Sequence, residues 1–501
     1  MKHKRLLINQ RDQWATGADL GRPSATLIAD AILIILNTKW KRNLPPGPRG
    51  FPLIGSIIEM KSKDRTEDFA RLRKQYGDVF YIKLGLSEFI VINGTKALQE
   101  LIVKRADALS DRPAFMASRA GSTGIAATSG DLWKEQRTFA IRTLRSFGVG
   151  KRCLETQVMD EVTILVNEIE KLKGSPFDIS HLLSISISNI ICSIVFGKRF
   201  EHDDEKFLLI MNLVHAQFSK TNLLGSGFAS WLKYLPGDPT GIKESTERRD
   251  AIQRFLIEQI REHRQTFNKE NIRDYIDAFL LEQQSQTSSE SYYSDDQLLG
   301  TIRNFFNAGS DTTATTIRWA IYYLIRNPNI QAKMYEEIHT VIGDDVCPSM
   351  EHRKGLPYCE AVMAESQRLG NIVPLSVPHG VKYDVNWNGY VIPKGSTIIL
   401  NLTSVCMDPV IFPKPKEFKP ERFLTKDGRF EGKTQFFPFS LGRRICLGES
   451  LARMELFLFL VSIVQRFHIL PEKEGVFPEV DVMIGITRSP SSFRFRAINR
   501  N

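Results

Sequence analysis

Residues 437–448 read Phe-Pro-Phe-Ser-Leu-Gly-Arg-Arg-Ile-Cys-Leu-Gly, and a long apolar stretch of helical pattern, Leu447 to Phe467, follows at once. Cys446 therefore comes after a turn built on Gly442 and stands at a helix N-terminus, where unpaired N–H groups and the helix dipole favour a thiolate over a thiol. A thiolate that meets an iron end-on needs a sharply turned loop whose backbone can approach a flat macrocycle, and Gly442 and Gly448 suit that demand. Arg444 can pair with an acidic group on such a macrocycle, and Phe439 can keep water from the sulfur. Taken alone, Cys446 could equally be an ordinary buried cysteine ahead of a core helix, since free cysteine is among the most buried residue types.

The spacing decides between these readings. Phe439, Gly442, Arg444, Cys446 and Gly448 form F-x-x-G-x-R-x-C-x-G, which resembles the cytochrome P450 signature at every defined position. The resemblance covers residues 45 to about 497. It implies a mainly α fold with small β-sheets, in which haem b lies between a long central helix and the cysteine loop. It also implies O2 as co-substrate and electrons from NADPH passed through a reductase.

The whole chain is compatible with that picture. Its 501 residues, 42% hydrophobic and 25% charged, suit a globular protein with a large core. Length alone would allow about three domains, yet no internal repeat and no long Pro/Gly/Ser linker divides it. The six cysteines (Cys153, Cys192, Cys347, Cys359, Cys406, Cys446) show no C-x-x-C pair, which argues against a zinc site or a disulfide framework and for a reducing compartment. The net charge of +10 fits nucleic acid, an acidic membrane surface or an acidic protein partner. No nucleic-acid motif accompanies it, so nucleic acid is not expected. The sequons at Asn93 and Asn401 read as chance occurrences, because they matter only in a secretory lumen.

Residues 1–44 form a basic segment containing a short apolar run, Ala25 to Leu36, followed by Lys39, Trp40, Lys41 and Arg42. Twelve residues fall short of the roughly twenty that span a bilayer, but the flanking basic residues and tryptophan suit a membrane interface with the following domain in the cytosol. A mitochondrial presequence and a cleaved signal peptide are the competing readings. The run Pro45-Pro46-Gly47-Pro48 through Pro52 then gives a stiff lead into the domain of residues 45–501. It resembles the hinge of microsomal members of the family and favours the endoplasmic reticulum over the mitochondrion.

Local patterns place further elements. A helix is expected over Thr66 to Tyr76, a hairpin over Asp78 to Ile92 and a helix over Thr95 to Lys104. Asp111 to Gly130 is expected to be irregular, and a second hairpin lies within Val381 to Leu400 around Asn388-Gly389. Trp133 and Arg137 share a helix face. From Ser129 to Arg152 six basic residues (Lys134, Arg137, Arg142, Arg145, Lys151, Arg152) outnumber two acidic ones (Asp131, Glu135), either a solvated face or a docking surface. Asn222 to Pro236 reads as an apolar lid that dips into lipid, or as a buried loop. Ser294 with Gln297 starts a helix that can run to Asn327, where Pro328 stops it. Within it, Ala308 and Gly309 let the backbone approach a cofactor, and Thr312 can bond back to a carbonyl and open the helix locally. The competing reading is a helix-packing groove with a surface Asp311.

The resemblance assigns roles to these positions. It implies Trp133, Arg137, Arg112, His379 and Arg444 as partners of the haem propionates, and Ala308 and Gly309 on the distal face. Asp311 and Thr312 become the proton relay, and Glu365, Arg368 and Arg422 a structural ion-pair network. Ile125, Ala126, Phe305, Ala308, Val373, Val377 and Ile486 would line the substrate pocket. The basic face would dock NADPH-cytochrome P450 reductase, with cytochrome b5 as a second donor. Ile190 to Phe200 and Leu451 to Phe467 look like animal microsomal members that oxidise drugs, steroids and fatty acids. The expected activity is insertion of one oxygen atom into a lipophilic substrate. A haem-thiolate isomerase or dehydratase acting on peroxides and a non-catalytic haem sensor or carrier are the alternatives; Asp311-Thr312 favours the monooxygenase.

Overall fold

The computed structural model describes residues 43–51, 54–85, 87–121, 123–149, 152–221, 241–286 and 292–500. The apolar run 25–36, the lid expected at 222–236 and Lys151 lie outside them. The first helix, α1 (Arg65–Tyr76), starts where the Asp64 carboxylate accepts the Thr66 N–H at 2.9 Å and stops at Gly77, whose φ is 91°. Strands β1 (Val79–Leu84) and β2 (Ser87–Ile92) then form the expected antiparallel hairpin. The helix anticipated over 95–104 is α-helical only through Leu98 and continues as a π turn over Gln99–Val103. The stretch 111–130 is more ordered than its composition suggests. It contains a helix at Ala114–Ala120 and a short turn, α2 (Gly124–Ala127).

A helical body follows: α3 (Gly130–Ser146), α4 (Arg152–Lys171), α5 (Ser180–Phe196), α6 (Glu205–Lys220), α7 (Ile242–Thr266) and α8 (Tyr275–Ser285). Its axis is α9 (Asp295–Arg326), 32 residues or about 48 Å at 1.5 Å per residue. The Ser294 hydroxyl caps it by accepting the Gln297 N–H at 3.2 Å. The Gln297 side chain does not complete a capping box; it accepts the Gly124 N–H instead, which ties α2 to α9. Two more helices, α10 (Pro328–Val341) and α11 (Pro357–Gly370), each begin with proline, which needs no N–H partner there.

Of the region 381–400, only β4 (Val385–Trp387) and β5 (Tyr390–Ile392) form a hairpin, around Asn388 and Gly389 at φ 48° and 82°. These are the left-handed conformations that a two-residue hairpin turn requires. Strand β6 (Thr397–Leu400) leaves that hairpin to run parallel to β2, with the short β3 (His379–Gly380) beside it, giving the order β1-β2-β6-β3. The chain closes with α12 (Glu449–Arg466), β7 (Phe467–Pro471), β8 (Val482–Ile484), β9 (Arg488–Pro490) and β10 (Phe495–Asn499), paired as β7 with β10 and β8 with β9.

From Leu44 onward the described residues form one unit. Its main core joins α4, α5, α9 and α12 through residues such as Leu165, Ile187, Ile317 and Phe457. A smaller core lies under the sheet. No helix among the described residues is long and apolar enough to cross a membrane.

Candidate functional site

The cysteine loop is held by its own backbone. Gly442 has φ 75°, and a Cβ there would lie 2.7 Å from the Ile102 carbonyl oxygen. The Cys446 N–H donates to the Phe439 carbonyl at 3.0 Å. Gly448 differs from Gly442: its φ is −89° and a Cβ would meet no protein atom within 4 Å. The protein fold thus demands glycine at 442 and leaves 448 free.

Cys446 is exposed by area, yet it lies deep enough among the surrounding chain for burial to push its thiol above the usual range. A backbone bond from Gly448 and the charge of Arg137 oppose that shift. The Phe439 ring lies beside the loop with the Arg453 guanidinium 4.9 Å above it.

Around this loop gather three arginines. Arg444 donates to the carbonyls of Ser110, Ile125 and Thr128 and lies 4.0 Å over the Trp133 ring. Arg112 donates to those of Ala126, Val377 and Pro378, and Arg137 to that of Ile445 at 2.7 Å. The acceptors are all backbone carbonyls. Burial, followed by mutual repulsion, lowers Arg112 to about 9 and Arg444 to about 8. His379 donates to the Leu109 carbonyl at 2.6 Å, so its proton sits on Nδ1; burial and the Arg112 and Arg444 charges lower it to about 3. The buried indole N–H of Trp133 has no partner.

Such a cluster fits an anionic ligand with several acceptor oxygens. The two propionates of a haem match it in charge and in hydrogen-bonding chemistry, and a thiol stands close by to take the iron.

The opposite wall is α9. Phe305, Ala308 and Thr312 share one face; Ala308 is exposed in mid-helix and Phe305 and Thr312 are only half-buried, so protein atoms leave this face partly uncovered. The Thr312 hydroxyl donates to the Ala308 carbonyl at 2.8 Å, and the helix runs through without a break, contrary to the expected local opening. At Gly309 a Cβ would lie 2.6 Å from Ile191 Cδ1, so its smallness lets α5 and α9 pack.

Asp311 is neither on the surface nor joined to Thr312. Its Oδ1 lies 2.7 Å from His215 Nδ1 on α6, and its Oδ2 accepts the Thr487 hydroxyl at 3.3 Å. His215 and Thr487 were not singled out from sequence; a histidine 96 positions away in a helix carries no local signal of this contact.

Other expected positions fall into groups. Ile125 and Ala126 connect α9 to the arginine cluster, with the Ala126 N–H donating to Asn304 Oδ1. Phe305 packs edge-on against Tyr275. Val373 and Val377 lie on the turn before β3, half-buried. Ile486 borders a separate cavity of about 50 Å³ with Pro374, Leu375 and Ile484, and its N–H donates to the Phe218 carbonyl at the end of α6.

Glu365 accepts from Arg368 at 2.7 and 2.8 Å and from Arg422 at 3.0 Å, and both Glu365 and Arg368 are fully buried. This triad fastens α11 to the chain that leads into the cysteine loop. Such a network fixes position more than it adds stability.

Of the basic face, Arg137 is committed inward and Arg142 pairs with Glu282. Lys134 and Arg145 remain exposed.

Comparison with known proteins then gives an independent finding. The family model described as Cytochrome P450 matches residues 45–496. The chain is 38% identical over 448 residues to cytochrome P450 2F3 of Capra hircus, covering 88% of this chain and 90% of the relative. It is 37% identical over 484 residues to cytochrome P450 2C16 of Oryctolagus cuniculus, covering 94% and 98%. Cytochrome P450 2F5 of Gorilla gorilla gorilla is 39% identical over 443 residues, covering 87% and 89%.

Proposed function

Because the chain belongs to the cytochrome P450 family and is a monooxygenase of that family, we propose that it inserts one oxygen atom from O2 into a lipophilic substrate, a fatty acid, steroid or xenobiotic. Its electrons come from NADPH through NADPH-cytochrome P450 reductase, with cytochrome b5 as a second donor. The observation that carries this reading is the cation cluster of Arg112, Arg137 and Arg444 beside Cys446, whose side-chain hydrogen bonds go to backbone carbonyls and not to carboxylates.

When bound, a haem supplies oxygen activation at its iron. The Cys446 thiolate holds that iron. Arg112, Arg137, Arg444 and the Trp133 N–H bind and orient the acidic edge of the group, and Phe439 beside the loop shields one side of the sulfur from water. Ala308 leaves room on the distal face. With its own proton committed to Ala308, the Thr312 hydroxyl oxygen can accept a bond from water and so hold a proton donor at that face. Asp311 joins this proton supply only through water or after leaving His215 and Thr487, because neither of its oxygens is bonded to Thr312.

Residues 1–44 anchor the catalytic domain of residues 45–501 to the endoplasmic reticulum, with the domain in the cytosol. Exposed Lys134 and Arg145 contribute to the reductase face. The decisive measurement is the absorption spectrum of the reduced protein with carbon monoxide: a thiolate-type Soret band is expected, and a histidine-type band would remove Cys446 as ligand.

A further inference from the structure

Glu455 is a buried acid that nothing above uses. It sits on α12 with 2% of its surface exposed. Its Oε2 accepts the Thr313 hydroxyl at 2.8 Å, and its Oε1 has no partner. Burial alone pushes it up to about 8, opposed only by that hydroxyl. The elements packed on α12 are α4, α9, α10, α11 and β7, and no charged side chain from any of them contributes to the shift.

Its place in the fold gives this acid a consequence. Helix α12 starts three residues after Cys446, and Glu455 lies six residues further along it, about 9 Å by helical rise. Thr313 directly follows Thr312 on the opposite wall of the pocket. The carboxyl therefore bridges the helix that follows the sulfur and the helix that forms the distal face. The carboxyl is buried, and charges in such surroundings interact far more strongly than in bulk solvent.

Further buried polar atoms lie on the same two helices. Ser310 Oγ and Asn307 Oδ1, buried and without partners, precede Thr313 by three and six positions on α9, and Ser462 Oγ follows Glu455 by seven on α12. A few buried waters would satisfy these atoms.

We propose that Glu455 is a redox-linked proton site at alkaline pH, where its carboxyl ionises: it takes up a proton as the iron in the neighbouring pocket gains an electron and releases it on reoxidation. The electron comes from a one-electron donor, dithionite or a flavin hydroquinone, and goes to the iron. The proton comes from solvent and forms an O–H bond on the Glu455 carboxyl; no other bond is made or broken. Reduction then leaves the charge of this region unchanged, and the proposal rests on the haem-thiolate reading of the pocket.

The test is spectroelectrochemistry of the holoenzyme from neutral to alkaline pH. The wild-type midpoint potential should fall as pH rises through about 8, because an ionised carboxylate disfavours added negative charge. Glu455→Gln should flatten that fall. Thr313→Val, which removes the one group favouring the carboxylate, should move the inflection to higher pH. Infrared spectroscopy of the oxidised holoenzyme at neutral pH should show a protonated carboxyl band that Glu455→Gln abolishes. An unchanged potential profile in Glu455→Gln with a normal carbon monoxide spectrum would overturn the proton site alone, as would a fully ionised Glu455 at neutral pH. A histidine-type carbon monoxide spectrum would overturn both readings.

Discussion

His215 Nδ1 on α6 lies 2.7 Å from Asp311 Oδ1 on α9, and the other oxygen of the same carboxylate accepts the Thr487 hydroxyl from the turn between β8 and β9. One buried carboxylate thus joins three elements, and the Phe218 carbonyl strengthens the junction by accepting the N–H groups of Ile486 and Thr487. Removing the imidazole leaves Asp311 in the interior with a single partner. His215→Ala should therefore cost about 1–3 kcal/mol. Because the loss passes through Asp311, a double-mutant cycle with Asp311→Asn in denaturant titrations should be non-additive. Additive losses would show that the two residues act separately.

Thr312 presents a different case, since its hydroxyl is bonded within its own helix to Ala308 and faces the open side of α9. Thr312→Ala removes a water-holding oxygen there while disturbing no neighbouring element. The fold should be little affected, and the ratio of peroxide released to product formed should rise. Unchanged coupling would take Thr312 out of the proton supply.

Trp133 separates stacking from hydrogen bonding. Its ring lies under Arg444 at 4.0 Å, while its N–H is orphaned. Trp133→Phe keeps an aromatic face but removes the N–H together with part of the ring, so the stability of the protein alone, read in denaturant titrations, measures the lost packing separately from the lost donor. If a haem carboxylate satisfies that donor, haem should leave faster by roughly 5–10-fold, the equivalent of one hydrogen bond of about 1 kcal/mol. Haem transfer to an acceptor globin measures this.

His379 makes a pH prediction with a definite sign. Folded, it binds a proton only below about 3, from burial first and then from Arg112 and Arg444; unfolded, it does so below about 6.5. Between these values the unfolded chain holds the extra proton, so stability falls as pH drops through that window. Replacing His379 with Gln should flatten this part of the profile in denaturant titrations run across it.

These contacts also mark where sequence reading reaches its limit. Short-range chemistry was legible: the Ser294 cap, the Asn388-Gly389 turn and the position of Cys446 ahead of α12 each depend on residues a few places apart. So was the bond of the Thr312 hydroxyl back to a carbonyl of its own helix, because helical geometry sets it. Partners distant in sequence were not legible. Gly309 is small because Ile191 fills the space beside it, and Asp311 points toward His215 because α6 crosses α9 there. Neither crossing leaves a periodic trace in the chain. The strand β6 was misjudged for the same reason, since its partner β2 lies some three hundred residues earlier.

The two glycines of the cysteine loop allow protein and cofactor demands to be told apart. Gly442 combines a left-handed φ of 75° with a Cβ position 2.7 Å from the Ile102 carbonyl. Gly442→Ala should cost at least 1–3 kcal/mol in the protein fold itself, through backbone strain and displacement of that carbonyl. Gly448 has φ −89° and no protein atom within 4 Å of a Cβ, so Gly448→Ala should leave the stability of the haem-free chain within about 0.5 kcal/mol. If a macrocycle lies against that open position, the added methyl group should weaken haem retention although the fold is unchanged. Denaturant titration and haem-transfer rates, measured on both variants, should then separate. Gly442→Ala would lower both, and Gly448→Ala only the second. Equal haem retention in Gly448→Ala and wild type would show that the backbone at 448 does not touch the group.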